Sequence, residues 1–153
     1  MFPTRKSDRY ALRAVLELAK LPLGTPCKSG SISKAQAIPP RFLEVILNQL
    51  KGSGLVDSKR GYQGGYFLLK KPEDISVGDV LRFLNGTDDF THQIACTSKE
   101  ECPFDCDCAF APLWKRVSDT IFSIYDATTF ADLLKQTNQL MLNNTASCSK
   151  TKG

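Results

Sequence analysis

The chain has 153 residues, is 42% hydrophobic and carries a formal net charge of +4, which suits one buried core with an appended oligomerisation element. No N-terminal apolar segment follows the basic start, and no run approaches the roughly 18 apolar residues that a membrane span needs, so a soluble cytoplasmic protein is expected rather than a membrane one. The charge is unevenly divided. Residues 1 to 71 hold 13 Lys/Arg against 4 Asp/Glu, and residues 72 to 153 hold 7 against 12; a basic front half is the footprint of a polyanion binder, although an ordinary solvated surface gives the same count.

From Ser7, a candidate N-cap, to Lys20, the apolar residues Tyr10, Ala11, Ala14, Val15, Leu18 and Ala19 recur on one face and predict a first helix. Asp8 falls in its first turn, where the helix dipole favours a carboxylate. Leu21 to Ser29 carries Pro22, Gly24 and Pro26 and reads as a loop before a short helix over Ser31 to Ala37. Ile38-Pro39-Pro40 ends that helix and opens another over Pro40 to Lys51, since proline is tolerated in a first turn but not inside.

This second short helix has two faces. Phe42, Leu43, Val45, Ile46, Leu47 and Leu50 form a broad apolar side, and Arg41, Glu44, Asn48 and Lys51 recur on the other. Such a stripe of donors and acceptors suits a recognition helix in the major groove, with Arg or Asn reading purines and Glu accepting from cytosine. A plain solvated face is the alternative.

Leu55 to Lys59 and Tyr66 to Leu69 are strand-like runs flanking Arg60-Gly61-Tyr62-Gln63-Gly64-Gly65, a glycine-rich hairpin tip. A helix-turn-helix followed by a basic hairpin is a winged helix, in which Lys59 or Arg60 holds phosphate or enters a minor groove. No phosphate-binding nucleotide motif is present. Ser76 then caps a helix running to about Leu84, and Asn85-Gly86 ends it.

The polar segment Thr87 to Phe110 places four of the six cysteines in the thirteen residues from Cys96 to Cys108, beside Glu100, Glu101, Asp105 and Asp107. Cys96, Cys102 and Cys108 are spaced C-x5-C-x5-C, with Cys106 between the last two. In a reducing cytosol clustered cysteines read as metal ligands or redox groups, and soft thiolates on one loop point to zinc or an iron-sulfur cluster. Cys27 and Cys148 stand apart and are read as incidental.

Pro112 opens a long helix with Leu113, Val117, Ile121 and Ile124 on one side, broadened by Trp114 and Phe122. That width exceeds what one small domain must cover and predicts a dimer contact, with packing only on its own domain as the alternative. A last helix begins near Thr129 with Phe130, Leu133, Leu134 and Met141. The expected organisation is a DNA-binding domain over residues 1–85, a cysteine-rich loop over 86–110, dimerisation helices over 111–142 and a disordered tail over 143–153. The fold class is mostly α, a winged helix-turn-helix with a small β-hairpin wing and a long C-terminal dimerisation helix.

With the helix-turn-helix, the R-G-x-x-G-G-Y wing and the C-x5-C-x5-C loop in that order, the chain resembles the Rrf2-type winged-helix regulators over about residues 5 to 140. The telling pieces are Tyr10-Ala11-Leu12, Ile38-Pro39-Pro40-Arg41-Phe42-Leu43-Glu44, Gly54-Leu55-Val56, and Arg60-Gly61 through Gly64-Gly65-Tyr66. The family includes iron-sulfur assembly repressors, nitric-oxide sensors, iron-response regulators and cluster-free cysteine-metabolism repressors.

The resemblance implies a homodimer on a near-palindromic operator in double-stranded DNA. Glu44 matches a base-reading residue and Arg60 the wing arginine, while Arg41 is added from the polar stripe. It further implies that Cys96, Cys102 and Cys108 hold an iron-sulfur cluster. Where the assembly regulators use a histidine as fourth ligand, this chain has Ala111. In the nitric-oxide sensors an aspartate early in the first helix of the partner subunit completes the site, and Asp8 stands at the matching place; Cys106 and His92 are its rivals. The likeness at Asp8 favours a 4Fe-4S over a 2Fe-2S cluster. The alternatives are a winged-helix regulator with a structural zinc or thiol-switch site, and a small redox or electron-transfer protein, which would leave the basic half unexplained. No nucleophile and base of recognisable spacing marks an enzyme.

Overall fold

The helix on which the rest converges is α1 (Lys6–Ala19), whose Ala11, Ala14, Val15 and Leu18 are all enclosed. Small residues along this face let neighbouring helices approach closely, and α2 (Ser29–Gln36) and α3 (Pro40–Leu50) both pack on it. The structure, a computed structural model, describes residues 5–86 and 108–148. Cys96, Cys102, Cys106 and His92 lie outside the described residues.

The start of α1 differs from the sequence expectation. Arg5, rather than Ser7, precedes the first turn, and Asp8 reaches back to accept a hydrogen bond from the Arg5 backbone N–H at 3.0 Å. Ser7 donates its hydroxyl to the other Asp8 oxygen at 3.4 Å. A carboxylate at the third helical position satisfies an orphan donor more effectively than a Ser already inside the turn.

The turn between α2 and α3 is closed by Ala37, which adopts a left-handed conformation with φ of 49°. The buried Ser33 supports it, donating from Oγ to the Ile38 carbonyl at 2.7 Å while its own carbonyl accepts from the Ile38 N–H at 3.1 Å. Pro40 then supplies the preset first turn of α3. Leu43, Ile46, Leu47 and Leu50 fill the inner face. Phe42 and Val45, expected on the apolar side, instead face outward, being 61% and 67% exposed. The four buried residues already cover the arc that one neighbour can reach.

After a 3-10 turn (Lys51–Ser53), β1 (Val56–Lys59) and β2 (Gly65–Leu68) pair antiparallel, with Val56 opposite Leu68 and Lys59 opposite Gly65. The expected loop around Pro26 contributes a further rung. Cys27 exchanges both backbone hydrogen bonds with Tyr66 at 2.8 Å, so the wing hangs from the α1–α2 connection as well as from β1. The close approach demands glycine at Gly65, where a Cβ would overlap the Cys27 backbone.

Ser76 caps α4 (Val77–Asn85) as expected, its Oγ accepting from the Asp79 N–H at 3.0 Å while Asp79 accepts from the Ser76 N–H at 2.8 Å. The next described helix, α5 (Ala111–Ala127), lies on α4. Arg82 donates to both carboxylate oxygens of Asp126, at 2.6 and 2.5 Å, and covers the Phe122 ring at 4.7 Å. Phe122 and Tyr125 complete this contact against Val77 and Leu81.

The last helix, α6 (Phe130–Cys148), continues past Asn143, where the sequence pattern ends it. Its first turn packs with the N-terminal half of the chain. Val77 N–H donates to the Thr128 carbonyl at 2.9 Å, Phe130 N–H donates to Ile75 at 3.0 Å, and Phe130 is fully enclosed in the main core. No described helix is long and apolar enough to cross a membrane. Phe130→Ala is expected to lower stability by about 3–5 kcal/mol, as measured by chemical denaturation, because it empties an aromatic volume that joins the two halves.

Candidate functional site

The outward face of α3 is set by what its inner face buries. At 100° per residue, Arg41, Val45 and Asn48 share an arc of about 60° directly opposite the buried leucines. Glu44 and Gln49 flank this arc, and Lys51 follows, exposed, in the 3-10 turn. The sequence-predicted residues Arg41, Glu44 and Asn48 are thus brought together on one exposed surface. Asn48 is also a strut: its Oδ1 accepts from the Tyr66 hydroxyl at 3.2 Å, which ties α3 to the wing and leaves the amide N–H groups to donate outward.

Lys59 ends β1 and Arg60 opens the wing tip, both exposed. Beyond them Tyr62 is 90% exposed, and the Lys28 ammonium lies 5.0 Å from its ring centroid. Lys28 stands at the start of α2, which no side chain caps. Between that helix start and the wing glycines Gly61, Gly64 and Gly65 lies an open groove of about 550 Å³, with Lys28 and Lys34 on its wall. Two lysines, an uncapped helix start and bare glycine backbone make a surface that favours anions. Lys28, Lys34 and Tyr62 escaped the sequence reading, since more than twenty residues separate α2 from the wing tip; the one signal was a Lys on each side of a Ser-Gly-Ser helix start.

Of the expected cluster ligands, two lie among the described residues. Cys108 is half-buried immediately before α5, its carbonyl accepting from the Ala111 N–H at 3.1 Å. Asp8 is only 2% exposed, and both of its oxygens take hydrogen bonds from its own helix start. Each carboxylate oxygen accepts more than one partner, so this engagement leaves lone pairs on Asp8. Thiolates with one carboxylate form a donor set that suits iron. Among the described residues no group of three or more His, Cys, Asp or Glu is assembled for a metal.

Residues 4–136 match the family model described as Rrf2, iron-dependent transcriptional regulator. The chain belongs to the Rrf2 family. It is 34% identical over 130 residues to the HTH-type transcriptional regulator CymR of Bacillus subtilis, covering 85% of this chain and 88% of that protein. Among solved structures it resembles T. potens IscR, with a TM-score of 0.70 and 31% identity over 89% of this chain and 88% of that one. It likewise resembles CymR, the global cysteine regulator of B. subtilis, with a TM-score of 0.71 and 32% identity over 89% and 98% of the two chains. These relatives bear out the winged-helix expectation and are named as regulators, not enzymes.

Outside the predicted sites this Rrf2 regulator carries one more placed thiol. Burial pushes the Cys27 thiol up from its ordinary pKa, and the nearby negative charge of Glu17 adds to the effect. Burial alone would raise Glu17 too, but hydrogen bonds from Lys20 and Gln36, each 2.6 Å, together with the Lys20 charge hold that carboxyl below its usual value. Glu17 therefore stays ionised beside Cys27. At pH 8 Cys27 is expected to react with iodoacetamide several-fold more slowly in the folded protein than in the urea-unfolded chain, as read by site-resolved mass spectrometry, because the raised pKa depletes the thiolate.

Proposed function

We propose that this Rrf2-family transcriptional regulator binds a near-palindromic operator as a homodimer in the cytoplasm and carries an iron-sulfur cluster that reports iron supply, redox state or nitric oxide. The observation that carries the reading is the outward face of α3, where Arg41, Glu44 and Asn48 stand together beside a lysine-lined groove and a basic wing. Arg41 and Asn48 donate to purine edges, Glu44 accepts from cytosine, and Lys51, Lys59 and Arg60 hold the phosphate backbone.

A second copy of the chain fits the outer stripe of α5. Leu113 and Ile124 are exposed, and Leu113, Val117 and Ile121 line a groove of about 390 Å³. Two-fold symmetry of such a contact would present two recognition helices to two half-sites.

Cys96, Cys102 and Cys108 would hold the cluster, with Asp8 of the partner subunit as the fourth ligand and a 4Fe-4S form favoured. The C-x5-C-x5-C spacing supports this assignment, as does the family's iron-dependent description. When bound, such a group supplies a site open to small oxidants or ligands. Cys108 lies at the entry to α5, so a change at that loop bears on the helix clamped to α4 by Arg82 and Asp126. Likeness to the cysteine regulator CymR favours a second reading, a cluster-free regulator of the same DNA-binding form.

Anaerobically purified protein is expected to contain iron and acid-labile sulfide and to absorb in the visible, with the spectrum abolished in Cys102→Ala and altered in Asp8→Ala. Absence of all three signals in the native protein supports the cluster-free reading, and an unchanged Asp8→Ala spectrum removes Asp8 from the ligand set. Lys28→Ala and Lys34→Ala are each expected to weaken binding to every duplex alike and to lower the salt slope by about 1 in a fluorescence-anisotropy titration.

A further inference from the structure

Val45 is out of place on the face where it stands. It is a β-branched apolar residue, 67% exposed, in the same narrow arc as Arg41 one turn before and Asn48 one turn after. Phe42, 61% exposed, borders it at the preceding i−3 position. Neither side chain belongs to the packed core, which Leu43, Ile46, Leu47 and Leu50 complete from the opposite side of α3. An exposed valine lowers helix propensity and gains nothing from water. Its presence between a guanidinium and a carboxamide therefore calls for an apolar counterpart on the surface that those two groups read.

Double-stranded DNA presents one such feature in the major groove, the C5 methyl of thymine. We infer that Val45, bordered by Phe42, contacts a thymine methyl in each operator half-site and is a specificity-determining residue. The inference rests on the DNA-binding reading above and narrows it. Charge favours this occupant over an apolar protein partner: Arg41 shares the arc, exposed Lys51 follows α3, and the wing that Tyr66 ties to Asn48 carries exposed Lys59 and Arg60, whereas the one acidic residue on α3 is Glu44. The expected half-site has a T·A pair flanked by purines within reach of Arg41 and Asn48, so that two turns of helix meet acceptors, a methyl and acceptors in succession.

The test begins with selection of the preferred duplex from a randomised library by the full-length protein. Each thymine of the selected half-site is then replaced singly by deoxyuridine, which removes the methyl and leaves every hydrogen-bonding group in place. At one position the wild-type protein is expected to bind about fourfold more weakly per half-site, the loss that follows when one methyl is no longer buried. Val45→Ala is expected to melt no lower than the wild type, since the side chain is exposed and alanine favours helix, and to bind the thymine and deoxyuridine duplexes equally. Phe42→Ala separates the two neighbours by keeping a reduced penalty.

No thymine at which deoxyuridine weakens wild-type binding, or the full penalty persisting in Val45→Ala, would overturn the inference while leaving operator binding intact. A library from which no sequence is enriched would overturn operator recognition itself, and the methyl contact with it.

Discussion

One face of α3 is buried against α1, and the rest of the molecule is arranged by that contact. Leu43, Ile46, Leu47 and Leu50 occupy the inner arc, met by the small residues Ala11 and Ala14 on α1. Small residues on one helix and leucines on the other bring the axes close, and a close crossing leaves little freedom to rotate α3. Once the inner arc is fixed, so is the outer one. Arg41, Val45 and Asn48 face solvent because the leucines cannot, and the hydroxyl of Tyr66 then holds the wing at a set angle to them through Asn48.

The wing is held at more points than its two strands provide. Tyr66 pairs with Cys27 through the backbone and with Asn48 through its hydroxyl, while Lys28, the residue after Cys27, reaches the Tyr62 ring at the tip. The turn before α2, α3 itself and the hairpin therefore form one surface. A basic surface assembled from three separated segments keeps its lysines and arginines at fixed spacing, which matters for a ligand whose phosphates are themselves regularly spaced.

The C-terminal helices are joined to this surface by different physics at their two ends. Where α5 meets α4 the contact is a two-pronged ion pair between half-exposed groups, Arg82 and Asp126, laid over an aromatic ring. Such a pair is directional but solvent-screened, and it contributes more to geometry than to stability. At the start of α6 the contact is dry, with Phe130 inside the main core and two backbone hydrogen bonds to the Ile75–Val77 segment. The helix pair is anchored firmly at Phe130 and steered at Asp126, while its outer stripe of Leu113, Val117 and Ile121 stays available.

Periodicity and breakers made most elements legible. Pro39 and Pro40 place the helix-turn-helix, Ser76 marks the start of α4, and the glycines from Gly61 to Gly65 mark the hairpin. These are local signals, and local backbone chemistry acts on them before any packing does. The polar stripe of α3 was equally legible, because period 3.6 places Arg41, Glu44 and Asn48 together in any helix. What periodicity left open was the width of the buried face: Phe42 and Val45 look like core residues in sequence, and only the reach of the α1 contact turns them outward. The Cys27–Tyr66 rung, the Lys28–Tyr62 contact and the return of Phe130 to the core join residues tens of positions apart, so no window of sequence contains them. The sequence by itself determined which segments are helix, turn and hairpin and which residue types each one carries; tertiary packing alone decided which of those residues meet, because proximity across the chain depends on how the buried faces fit one another.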